Sequence, residues 1–129
     1  MVNRSRSRCA LAALLLLMAA VPLLAHHSVA MYDMDHLVTI KGTVTKVEWT
    51  NPHVFVYLNV KDDKGDVNEW AMEVDSIVLM RRYGWTKNTV KPGDEISCTG
   101  GAAKTGAKVM RGAMVELADG TKLRVWSRV

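Results

Sequence analysis

Apolar and polar positions divide the chain into a leader and a β-patterned body. Every residue from Cys9 to Ala20 is apolar, whereas from Leu37 onward apolar residues recur in short alternating runs. Leu37–Trp49 (LVTIKGTVTKVEW) alternates until Gly42 shifts the period, and a glycine inside such a run predicts a bulge or bend. Thr50-Asn51-Pro52 interrupts the pattern. His53–Lys61 (HVFVYLNVK) resumes it, with Val54, Val56, Leu58 and Val60 on one face and Phe55, Tyr57 and Asn59 on the other. Asp62–Gly65 reads as a turn and Val67–Val74 as a third strand. Glu69, Glu73 and Asp75 fall on one face there, as expected of a solvated sheet surface.

The period then changes. Asp75-Ser76 can cap a short helix over Ile77–Tyr83, with Gly84 as its stop and Ile77, Met80 and Tyr83 on its inner face. Lys91–Asp94 turns into a fourth strand, Glu95–Gly100. Gly100–Lys108 (GGAAKTGAK) reads as a flexible loop, and Met110–Leu117 with Thr121–Ser127 as a hairpin around the two-residue signal Asp119-Gly120. Three strands, one helix and further strands is the order of a small OB-like Greek-key barrel. An open β-sandwich has the same strand count, and the helix between strands three and four favours the barrel.

The leader opens with Arg4, Arg6 and Arg8 and closes on VPLLA at 21–25, the pattern of a secretory signal peptide cut after Ala25. A cut after Ala30 is the competing site. An uncleaved anchor is disfavoured because Pro22 interrupts a run at the short end of what spans a bilayer. The expected organisation is a signal peptide over 1–25, an extension over 26–36 and the barrel over 37–129, in a periplasmic or secreted protein with no membrane span after cleavage. Removing the leader changes the charge argument. The whole chain is +4, but the leader carries three of its 17 basic residues and none of its 13 acids, leaving 14 against 13. A nearly neutral domain with scattered tryptophans does not predict a nucleic-acid partner. Cys98 is the one cysteine left beyond the leader, so no disulfide can form within that part, and its alternating surroundings predict a buried thiol.

Cleavage after Ala25 would make His26 the amino terminus. Its α-amine and ring nitrogen can chelate one metal, and His27 adds a second imidazole. Unperturbed pKa values of about 7.7 and about 6.5 put both donor types within reach of deprotonation near neutrality. Nitrogen donors of this kind suit Cu(II), Ni(II) and Zn(II), with copper bound most tightly. The competing reading is a solvated terminus without a ligand. His53 is the second candidate, in the loop Trp49, Thr50, Asn51, Pro52 and His53 that joins the first two strands, a loop that helps form the ligand face of OB barrels. His26 to Leu37 spans at most about 36–40 Å, close to the length of the first strand, so His26 and His53 can in principle share a site.

AHHS at 25–28, GTVTKVEWTNPHV at 42–54 and RRYGWTKNTVKPGDEI at 81–96 resemble a family of small exported bacterial proteins of uncharacterised function. The resemblance implies an exported single domain whose mature start lies near HHS, and implies no activity. Met31, Met34 and His36 fall outside it. No nucleophile elbow, phosphate loop or carboxylate pair predicts an enzyme. Two functions remain open. One is a binding protein for copper or a related transition metal through His26, His27 and His53. The other is a metal-free module in which the Thr50–His53 and Gly100–Lys108 loops bind a small molecule, glycan or protein partner.

Overall fold

A computed structural model describes residues 29–128. The strands are β1 (Val38–Glu48), β2 (Phe55–Lys61), β3 (Val67–Glu73), β4 (Glu95–Ala102), β5 (Val109–Leu117) and β6 (Lys122–Arg124), and α1 (Ile77–Arg82) lies between β3 and β4. Antiparallel pairing runs β3-β2-β1-β4-β5-β6, and a parallel β3–β5 pairing closes the first five strands into a barrel. That is the OB-type arrangement expected from the element order.

β1 makes closure possible because it serves two neighbours. Its Val38–Thr43 half pairs with β4 and its Gly42–Glu48 half with β2, so Gly42 faces both Val60 and Ile96. A Cβ on Gly42 would lie 2.4 Å from the carbonyl oxygen of Asn59, which explains the glycine at the point where the strand changes partners. The bulge itself falls not at Gly42 but between Val44 and Lys46, and the extra residue, Thr45, has a buried hydroxyl with no partner among the described residues.

Inward positions of the alternating runs make the core. Val44, Val56, Leu58, Met72, Ile96, Cys98, Met110 and Val115 are buried, with Val54, Val74, Met80, Trp85 and Val125 added from the strand ends, α1 and the loops. Met80 is the buried residue of α1, while Ile77 and Tyr83 pack partly against the core. The helix ends in a Schellman cap, with the N–H of Gly84 on Arg81 O and that of Trp85 on Met80 O. At the other end Ser76 is the N-cap but makes no side-chain capping bond.

Two loop expectations are corrected. β4 runs on through Gly100, Gly101 and Ala102, leaving the loop as 103–108. The β5–β6 turn has three residues between Leu117 and Thr121 rather than two. Gly120 N–H bonds Leu117 O, Leu117 N–H bonds Thr121 O, and Gly120 takes a φ of 86°. The aspartate therefore sits in an ordinary turn and the glycine supplies the left-handed residue that follows it.

Candidate functional site

His53 ends the loop that leaves β1 at Glu48 and enters β2 at Phe55. The Asn51–Pro52 peptide bond is cis, and both residues are exposed, as is Thr50. Val54 next in chain is fully buried and paired on both sides, its N–H on Asp75 O and its carbonyl accepting from Val74 N–H. This pins the backbone of His53 to the end of β3. Its side chain is 34% exposed, and its Nδ1 lies 2.6 Å from Oε1 of Glu73.

Glu73 is the centre of a buried polar cluster. Register explains its neighbours: it faces Phe55 on β2 and Arg111 on β5. Arg111 Nη1 donates to Glu73 Oε1 at 3.3 Å and to the carbonyl of Val74 at 2.8 Å, and Nη2 donates to Oδ1 of Asp75. Tyr32 closes the other side, its hydroxyl donating to Glu73 Oε2 at 2.8 Å. Asp75 is completed by the Tyr83 hydroxyl at 3.0 Å and the Ser127 N–H at 3.1 Å. Burial, reinforced by the hydrogen bond to Glu73, pushes the Tyr32 phenol well above its ordinary pKa. Tyr83 is raised the same way, by burial and then Asp75. Both phenols are therefore held as donors.

Tyr32 arrives there because the chain before β1 lies along the end of β4. Tyr32 bridges to Ala103 and Asp33 N–H bonds Ala102 O at 2.9 Å. Gly101 permits the approach: a Cβ would lie 2.6 Å from the carbonyl oxygen of Asp33.

Glu73 and Asp75 thus leave the expected solvated face. They are 7% and 5% exposed, while Glu69 remains exposed. Asp75 is drawn from helix capping into the cluster. Sequence reading passed over Arg111 and Tyr32 altogether. A signal for Arg111 existed, since it is the one charged residue in the otherwise apolar Val109–Val115 stretch and so demanded an anion.

The remaining candidates separate. His36 is exposed and contacts Asp33 through Nδ1 at 3.2 Å. His26, His27 and the leader lie outside the described residues. Among the described residues no three His, Cys, Asp or Glu side chains gather into a metal site, and no helix is long and apolar enough to cross a membrane. Cys98 is fully buried and desolvation pushes its thiol up to about 12. Trp85 is buried with Nε1 donating to Arg124 O at 2.9 Å; Trp70 packs on the core with Lys108 over its ring. Trp49 packs partly on the core and lines an open cleft of about 530 Å³ with Arg81, Gly84, Trp85, Thr86 and Lys87.

Comparison with known proteins adds a family and a fold. Residues 13–112 match the model of a family described as of unknown function, DUF6152. No curated protein matches the chain. Among solved structures, the mitochondrial single-stranded DNA binding protein Rim1 of S. cerevisiae is similar, with a TM-score of 0.50 at 13% identity over 64% of this chain and 93% of that one. At that identity the likeness establishes the OB fold alone.

Proposed function

The chain belongs to DUF6152, a family of unknown function, and we propose that it is an exported binding protein that holds a transition-metal ion, Cu(II) foremost, through His26, His27 and His53. The observation that carries this reading is the 2.6 Å contact between Nδ1 of His53 and the buried Glu73. A carboxylate beside Nδ1, in ion-pair contact but outside hydrogen-bonding geometry, leaves Nε2 as the ring nitrogen a metal would take. One imidazole is not a site, so the other donors come from the α-amine and ring of His26 and from His27. Tyr32, which shares Glu73 with His53, follows His26 by six residues, a contour of at most about 20–22 Å. Export rests on the leader over 1–25.

The test has two stages. Intact mass of the exported protein is expected to place His26 first. Calorimetry on that material is expected to give one Cu(II) bound much more tightly than micromolar, weakened strongly by His26→Ala. A mature start at Met31, or micromolar binding that His26→Ala leaves unchanged, contradicts the proposal. A second reading, in which the β1–β2 loop serves a small organic ligand without metal, is favoured by the cleft that Trp49 lines.

A further inference from the structure

Among the described residues, the cleft beside Trp49 differs in charge from three other surface hollows. Those three bring carboxylates to their walls: Asp94, Glu95 and Asp119 in one, Glu95 and Glu116 in the second, Glu95 in the third. The Trp49 cleft has none. Its charged groups are Arg81 and Lys87, both exposed and both without an ion-pair partner among the described residues. Trp49, half-buried, supplies the apolar wall, and Trp85, buried, lies at the cleft's edge. Gly84 also lines the cleft, and nothing lies within 4 Å of where its Cβ would be. A side chain there would strain the backbone, whose φ is +88°.

The loop polar groups that could compete are already used. Thr86 Oγ1 accepts from Asn88 N–H at 3.2 Å and Thr86 N–H donates to Thr89 Oγ1 at 2.8 Å. Trp85 Nε1 is committed to Arg124 O. The volume, about 530 Å³, is that of a small-molecule site.

We infer that this cleft binds a small planar organic anion of the aromatic carboxylate class, its ring against Trp49 and its carboxylate between Arg81 and Lys87. Flat apolar surface meets the indole face, and a carboxylate meets a guanidinium in matching fork geometry. A cationic ligand would meet two like charges, and a neutral one would leave them unanswered. The inference rests on the ligand-binding reading of the β1–β2 loop and is independent of any metal. Arg81, with Arg82, also offsets the negative end of α1. A purely structural role for Arg81 would change stability and leave ligand affinity untouched.

Metal-free, exported protein titrated with 2-naphthoate and with neutral 2-naphthamide, followed by the indole N–H resonances in NMR, separates the cases. The expected result is that naphthoate shifts the Trp49 and Trp85 resonances and binds at least about tenfold more tightly than the amide. Arg81→Gln/Lys87→Gln is expected to lose about the same factor with only a small fall in its urea midpoint, and Lys87→Gln alone, away from the helix, about half of that factor on a logarithmic scale. Equal affinity for acid and amide, or undiminished naphthoate binding in both variants, overturns the anion specificity but leaves a ligand cleft. Failure of both probes to shift Trp49 or Trp85 overturns the cleft reading itself.

Discussion

Two arginines define the contrast between the inner and outer polar regions of this barrel. Arg111 has a side chain 5% exposed, and its guanidinium is answered by Glu73, Asp75 and the Val74 carbonyl. Arg81 stands exposed at the end of α1 with no ion-pair partner among the described residues. Water licenses the second state, and its exclusion makes pairing obligatory in the first, because an unpaired buried charge is far more costly than an exposed one. The cluster around Arg111 uses most of its hydrogen bonds in holding β3, β5 and the Tyr32 segment together, and only Nε of the guanidinium is left buried without a partner among the described residues. The cleft around Arg81 and Lys87 has chemistry left over. His53 stands at the border, with Nδ1 against the cluster and about a third of its side chain in solvent.

The contrast breaks first at Arg111. Replacing it by Met would leave two buried carboxylates without their cation, so Arg111→Met is expected to cost about 3–5 kcal/mol in urea unfolding. A loss no larger than that of an exposed arginine would dissolve the distinction. Tyr32→Phe removes one hydrogen bond to a charged acceptor and should cost about 1–2 kcal/mol. The same change should speed hydrogen exchange at the Asp33 amide, which is held on Ala102 O.

Cys98 gives a pH signature of the interior. Its folded pKa, raised by burial to about 12, lies above the unfolded value. Its contribution is therefore complete below the unfolded pKa, near 8.5–9, and is lost as pH rises toward 12. By pH 9.5 the loss is about 1 kcal/mol. Urea midpoints from pH 7.5 to 9.5 should fall in the wild type and fall less in Cys98→Ala. The smallest effect belongs to the outer region: Arg81→Gln and Lys87→Gln should each change stability by less than about 0.5 kcal/mol.

How legible this was in the sequence depends on the distance over which partners meet. β1, β2, β3, α1 and the OB order follow from local period and turn residues, and the strand limits came within two residues at most ends. The β1–β2 loop with His53 could likewise be placed from the Asn51-Pro52 break. The cluster could not. Glu73, Asp75 and Glu69 have one parity and look alike in a strand pattern. What separates them is the parallel register that sets Arg111 against Glu73, 38 residues apart in sequence, and the return of Tyr32 from 41 residues away. Gly100 and Gly101 misled for a related reason. A glycine pair reads as a loop, whereas here their missing side chains let β5 and the Asp33 backbone lie close to β4. The Trp49 cleft joins the β1–β2 loop to the segment after α1, and no single stretch of sequence displays it.

The central claim is the proposal that His53, in contact with Glu73, contributes a nitrogen to a copper site with His26 and His27. Electron paramagnetic resonance of the exported protein loaded with one Cu(II) tests it most directly. The wild type is expected to show nitrogen couplings from the amine and from imidazoles, and His53→Ala is expected to lose one imidazole from that set. A spectrum unchanged by His53→Ala would contradict the claim and return His53 to a structural partner of Glu73.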